Sequence, residues 1–127
     1  MLQYKYRLRR SSDLERVRRE GDVWRHPFIV FLACKNEQLD ESRFAFVASR
    51  RVGNAVQRNR IRRLMREAIR QHLDDIHPEW DCILIARPQI LQANFAEVET
   101  AVLQLLRRAK LLRVVKRTEE EQHNPLS

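Results

Sequence analysis

The stretch Arg50–Arg70, RRVGNAVQRNRIRRLMREAIR, holds eight arginines against a single acid, Glu67. Nearly all of the chain's formal net charge of +8 sits in this one segment. Advancing by about 100° per residue from Ile61 gathers Leu64, Met65, Ala68, Ile69 and His72 into one arc. Asn59, Arg60, Arg62, Arg63, Arg66 and Arg70 fall in the opposite arc. The spacing predicts an amphipathic helix running to about Leu73, with one apolar stripe to bury and one arginine face to leave open. Val56 and Arg58 do not share this phase. The helix is therefore expected to start or bend just before Asn59, with Gly53–Arg58 a shaped turn. Arg63 stands four residues before Glu67 and is expected to pair with it.

That arginine face limits the possible partners. Arg58, Arg62, Arg66 and Arg70 are spaced i,i+4, where like charges repel by a few tenths of a kcal/mol per pair. A polyanion would offset the repulsion. Guanidinium is planar, carries five donors and grips phosphate through two parallel hydrogen bonds. An anionic membrane would need bulky apolar residues free to insert opposite the charge, and here the apolar stripe is narrow and needed by a core. A merely solvated basic face is the remaining alternative. A pI near 10.5 favours nucleic acid.

At 127 residues and 43% hydrophobic content, one domain with a real core is expected. No apolar run is long enough to span a membrane. The N-terminal MLQYKYRLRRSSDLER lacks the apolar centre of a signal peptide, which makes cytoplasmic the expected location. Cys34 and Cys82 each sit in an apolar run and read as reduced core thiols. His26, His72, His77 and His123 show no metal-ligand spacing.

Along the chain, Ser12-x-x-Glu15 reads as a capping box opening a short helix through Leu14 and Val17, with Gly21 as its stop. PFIVFLAC and RFAFVAS read as strands, joined by the polar KNEQLDES into an antiparallel hairpin. After the arginine-rich helix, Pro78 lies in a connection. DCILIA, apolar on both parities, reads as a strand buried on both faces. Asn94 and Glu97 form a capping box for a last helix carrying Phe95, Val98, Val102, Leu105, Leu106 and Ala109. The order α-β-β-α-β-α predicts a two-layer α/β (α+β) sandwich: helices packed on a small central sheet. Its strand–helix–strand unit would be a right-handed parallel crossover by the general rule. Residues 1–112 form the expected domain and 113–127 a disordered tail.

Asp74 and Asp75 are adjacent and diverge, and Glu119–Glu121 lie in the tail. No carboxylate cluster for protein-based phosphodiester cleavage stands beside the basic helix.

SRRVGNAVQRNRIRRLMREAIR resembles the signature of the bacterial ribonuclease P protein component. Gly53, Asn54, Ala55, Val56, Arg58, Asn59 and Arg60 match its Gly-Asn-Ala-Val-x-Arg-Asn-Arg core without a gap. CILIAR and SDLERVRREG resemble the family's third strand and first helix, so the likeness covers roughly residues 6–112. It implies a subunit of an endoribonuclease holoenzyme that removes the 5′ leader of precursor tRNA. The catalytic RNA would do the chemistry, with Mg²⁺ held mainly by RNA and no cofactor on the protein. It also implies a left-handed crossover, against the general rule. By position, Ser49, Arg50, Arg51, Asn54, Arg58, Asn59, Arg60, Arg62, Arg63, Arg66 and Arg70 would face the catalytic RNA. Leu14, Arg18 and Phe31 would line a cleft for the leader. Leu14 and Arg18 stand where the family often has aromatics, and Phe31 where tyrosine is frequent. The alternative reading is a ribosomal or general RNA-binding protein with no role in cleavage.

Overall fold

The computed structural model of the protein describes residues 2–113. Residues 114–127 of the expected tail lie outside them. Among the described residues three α-helices and four strands follow in order: α1 (Ser11–Glu20), β1 (Asp22–Arg25), β2 (Ile29–Lys35), β3 (Arg43–Val47), α2 (Ala55–Arg70), β4 (Trp80–Ala86) and α3 (Phe95–Arg108). The strands form one sheet in the order β1-β2-β4-β3. The α+β reading of a small central sheet with helices packed on it holds, but helices cover both faces, giving three layers instead of two, and there is one strand more than the sequence suggested.

The expected hairpin between PFIVFLAC and RFAFVAS does not form. β4 lies between the two, antiparallel to β2 and parallel to β3. The most apolar strand thus takes a central position, where both of its faces are covered. The real hairpin is β1–β2, registered Asp22↔Ala33 to Arg25↔Val30. On the other edge the N-terminal segment runs beside β3, with Leu8 N donating to Phe44 O at 2.9 Å.

Side-chain alternation along the strands divides the core. Ile29, Phe31, Ala33, Phe44, Cys82 and Leu84 face α2 and α3. Leu32, Cys34 and Ile83 face α1, with Val30, Ala45, Val47 and Ile85 partly buried beside them. The two-helix side is larger, and the aromatic Phe31 belongs to it, 5.9 Å from Trp24 between ring centroids. Each aliphatic or aromatic side chain fully buried there stabilises by roughly 1.5–3 kcal/mol.

α1 begins at Ser11, so Ser12 falls inside the first turn and its expected capping box is not made; Arg10 is the N-cap, without a side-chain cap. Gly21 does end α1, for a steric reason. A Cβ there would stand 2.5 Å from Val17 O and 2.9 Å from Ala33 O. Gly21→Ala should push α1 off β2 and lower the thermal midpoint by several degrees, which scanning calorimetry would read. The Asn94–Glu97 capping box of α3 is present with both hydrogen bonds.

α2 starts four residues earlier than its periodicity suggested. Asn54 caps it, accepting from Gln57 N at 2.9 Å, while Gln57 Oε1 accepts from Asn54 N at 2.8 Å. Gly53 leaves room for this exchange, since a Cβ would meet Gln57 Oε1 at 2.3 Å. Val56 is out of phase because it is 78% exposed on the outer face, not because the backbone turns there. At the other end His72 Nε2 meets Glu99 Oε2 at 2.8 Å, joining α2 to α3.

Both cysteines are buried and reduced, on opposite faces of the sheet. Burial pushes the Cys82 thiol well above its ordinary value, helped by the nearby Asp81 charge. Cys82 should therefore resist aromatic disulfide reagents in the native protein and react stoichiometrically in denaturant.

Candidate nucleic-acid interface

α2 lays Ile61, Met65, Ala68 and Ile69 on the core. Its arginines then sort by helical phase. Arg62 and Arg66 lie on the flank toward β3. Arg62 Nη1 donates to Ala48 O at 3.3 Å, and the Arg66 guanidinium lies 5.6 Å from the centre of the Phe46 ring. Arg60 and Arg63 point outward and toward α3. Arg58 falls closer to the core than expected and is half-buried, with Nε out of contact with any acceptor.

The arginines are held in place but not neutralised. Among the described residues, the salt bridges involve Arg16, Arg19, Arg43, Arg70 and His72, and none involves Arg50, Arg51, Arg58, Arg60, Arg62, Arg63 or Arg66. Burial, and then the charges of Arg7, Arg62 and Arg63, lower the Arg66 pKa. A group whose charge its own neighbours disfavour is one that an incoming phosphate would stabilise.

Two expected contacts are otherwise engaged. Arg70 is clamped to Glu67, which it reaches at i,i+3, whereas the expected Arg63–Glu67 pair is not formed. The hydrogen bond from Arg70 pulls the Glu67 carboxyl down to about 2. Because this pKa is depressed, the pairing stabilises above the ordinary carboxylate range and is lost as pH falls toward 2. Asn54 spends its side-chain oxygen on capping α2. Asn59 is exposed and accepts from Arg62. Ser49 Oγ accepts from Arg51 N at 3.3 Å, ordering the turn that presents Arg50 and Arg51 beside the helix.

The expected grouping of Leu14, Arg18 and Phe31 is not formed. Phe31 is 1% exposed and on the opposite face of the sheet from Leu14. The residues of β2 that do face α1 are Val30, Leu32 and Cys34, the other parity of the same strand. Three cross-strand rows follow on that face. Cys34, Asp81 and Arg43 form the first, Leu32, Ile83 and Ala45 the second, and Val30, Ile85 and Val47 the third. α1 covers the second row. Val17 sits at the centre of the helix's buried side, and its Asp13/Arg16 flank turns to the first row. Leu14 and Arg18 lie on the other flank, toward the third row, whose side chains are only partly buried. A half-open apolar shelf therefore lies between α1 and the turn carrying Arg50 and Arg51.

Asp81 fixes this arrangement and was not singled out from the sequence. It is fully buried and accepts from Arg43 Nε at 2.8 Å, Arg43 Nη2 at 2.9 Å, Asn36 Nδ2 at 3.2 Å, and Arg16 of α1. Arg16 Nη1 also reaches Cys34 Sγ at 3.1 Å. β2 is apolar on both parities, so the sequence does not show which set borders the shelf; partners so distant along the chain leave no local signal for Asp81. Among the described residues, no three His, Cys, Asp or Glu side chains are grouped so as to hold a metal ion, and no helix is long and apolar enough to cross a membrane.

A small α/β scaffold that holds a row of unneutralised guanidinium groups beside an apolar shelf defines a protein built to meet a structured polyanion. Comparison with known proteins identifies which one. Residues 2–110 match the family model described as Ribonuclease P. The chain is 42% identical over 108 residues to the ribonuclease P protein component of Roseiflexus sp., covering 84% of this chain and 88% of that one. The corresponding protein of Herpetosiphon aurantiacus is 38% identical over 110 residues, covering 87% and 89%. Solved structures agree. The Staphylococcus aureus RNase P protein superposes with a TM-score of 0.79 at 29% identity, covering 85% of this chain and 98% of that one. The Thermotoga maritima protein gives 0.74 at 31% identity, covering 80% and 96%. The chain belongs to the ribonuclease P protein component family. It is an RNA-partnering subunit of an endoribonuclease that acts in tRNA processing.

Proposed function

We propose that this chain is the protein half of a ribonucleoprotein whose RNA supplies the catalytic centre, and that its substrate is precursor tRNA. The face of α2 with Arg50 and Arg51 docks on the catalytic RNA. The shelf of Val30, Ile85 and Val47, bordered by Leu14 and Arg18, receives the single-stranded 5′ leader. Mg²⁺ is held mainly by the RNA. The observation that carries the reading is the set of seven arginines without an acidic partner among the described residues.

The chain's contribution is positioning and charge neutralisation. Guanidinium groups set against the catalytic RNA reduce the repulsion between two polyanions brought together for cleavage. The shelf is apolar and partly open, suited to the faces of unpaired bases, while Arg18 at its border suits a leader phosphate. Its aliphatic side chains discriminate little among bases.

Reconstitution with a bacterial ribonuclease P RNA tests the proposal. Adding the protein should let leader removal proceed at lower Mg²⁺. The holoenzyme should bind precursor tRNA roughly ten- to a hundredfold more tightly than mature tRNA, the range that one or two stacked bases supply. Equal affinity for the two, with no change in Mg²⁺ requirement, would leave a general RNA-binding protein instead.

A further inference from the structure

Between α2 and the start of α3 lies a hollow of about 540 Å³ that the leader shelf does not include. Leu64 and Phe95 supply its apolar lining, and Arg60, Arg63, Arg66 and Glu67 the rest. We propose that it takes one unstacked nucleobase of the RNA on which α2 docks, seated on the Phe95 ring, with the adjoining phosphates at Arg60 and Arg63. The inference rests on the docking role of α2 proposed above and adds a base-reading site to it.

Three features support it. The volume falls within the range of small-ligand sites, roughly 300–1,000 Å³. Phe95 is the first residue of α3; it packs against the core yet is only partly buried, which fixes the ring while leaving part of it open. Aromatic rings held in that way are the platforms on which unpaired bases stack. Arg60 and Arg63 have no acidic partner among the described residues, so this part of the lining is complementary to the backbone on either side of an inserted base.

Glu67 gives the hollow a preference. Its Oε2 is occupied by Arg70 and Gln71, whereas Oε1 accepts only from Arg70 Nε, at 2.9 Å. A carboxylate oxygen accepts two hydrogen bonds, so Oε1 retains one free acceptor position. The carboxyl stays ionised at neutral pH. An acceptor without a donor suits a base with an exocyclic amine at its edge, such as cytosine, over uracil.

The test uses the full chain and a bacterial ribonuclease P RNA. Phe95→Leu keeps an apolar side chain over the core but removes the ring. It should weaken RNA binding about 5- to 100-fold, the range of one lost stacking contact. The salt dependence of binding should not change, because phosphate contacts are retained. Phe95→Trp should bind like the wild type, and its added indole emission, read against the Trp24 and Trp80 background, should be quenched by the RNA. Wild-type affinity in Phe95→Leu, or an indole at position 95 that the RNA leaves unquenched, would overturn the proposal. If Phe95→Leu does not fold, the quenching experiment decides alone. Failure of the wild-type chain to bind the RNA at all would instead overturn the docking role of α2.

Discussion

Replacing Arg62, Arg63 and Arg66 together with alanine is expected to weaken binding to the catalytic RNA by about 10³-fold or somewhat more, at a small cost in stability. Each guanidinium that meets a phosphate makes a charge-assisted hydrogen bond worth about 1.5–3 kcal/mol, and the lower end applies on an exposed helix face. The slope of log affinity against log salt should become shallower by about 2–3, since three fewer phosphates release their counterions. The fold should survive. Arg66 contributes a half-buried cation–π contact with Phe46, worth about 1 kcal/mol. Arg62 contributes one hydrogen bond to Ala48 O. Loss of mutual repulsion among the arginines offsets part of both. Filter binding over a salt series, with thermal unfolding alongside, checks both halves. A variant that unfolds would mean that these side chains hold the domain together.

Replacing Asp81 with alanine is expected to do the reverse: a large loss of stability, with the arginine face itself untouched. The carboxylate is fully buried and receives hydrogen bonds from Arg16, Arg43 and Asn36. Its removal leaves two guanidinium groups facing each other with only Asp13, 3.4 Å from Arg43, as counter-charge. Breaking a buried ion pair in this way costs about 3–5 kcal/mol. For a domain of this size that corresponds to a fall of roughly 10–30 °C in Tm. Arg16 ties α1 to the sheet through this carboxylate, so α1 is the element released. Where enough folded protein remains, precursor tRNA affinity should fall further than catalytic RNA affinity, because α1 borders the shelf and not the α2 face. Unfolding by calorimetry and the two affinities measured side by side check this.

The elements easiest to find in the sequence are those whose pattern is local. α3 follows from the Asn94–Glu97 capping box and a 3.6-residue apolar repeat, and the core stripe of α2 from the same periodicity. The start of α2 was placed too late because an exposed Val56 imitates a break in phase. The capping exchange between Asn54 and Gln57 marks the true start, and its Asn-x-x-Gln spacing is the same local signature as Asn94-x-x-Glu97. Strand pairing is non-local. KNEQLDES looks like a hairpin turn, but burial of both faces of β4 places that strand between its two neighbours. β1 is short, largely exposed and held mainly by its pairing with β2, so its composition gives little warning.

The candidate site divides in the same way. The arginine face was legible because charge and period coincide in one segment. Phe31 is expected beside Leu14 and Arg18, but it lies on the other parity of β2, away from α1. In a strand apolar on both sides, the larger core decides which set faces it, and it took the aromatic Phe31. Asp81 opens the predicted DCILIA strand with nothing local to mark it as a buried charge. Its burial depends on Arg16 and Arg43, which are distant in sequence and meet it only in the fold.

The most direct test of docking through α2 is a tethered cleavage probe. Iron–EDTA is attached to a cysteine introduced in place of Arg63, with a second probe in place of Gln38 in the turn before β3, both in a Cys34→Ser, Cys82→Ala background. The expected result is strong, localised cleavage of the catalytic RNA from position 63 and little or none from position 38. Equal cleavage from both, or cleavage from position 38 alone, would contradict docking through the arginine face of α2.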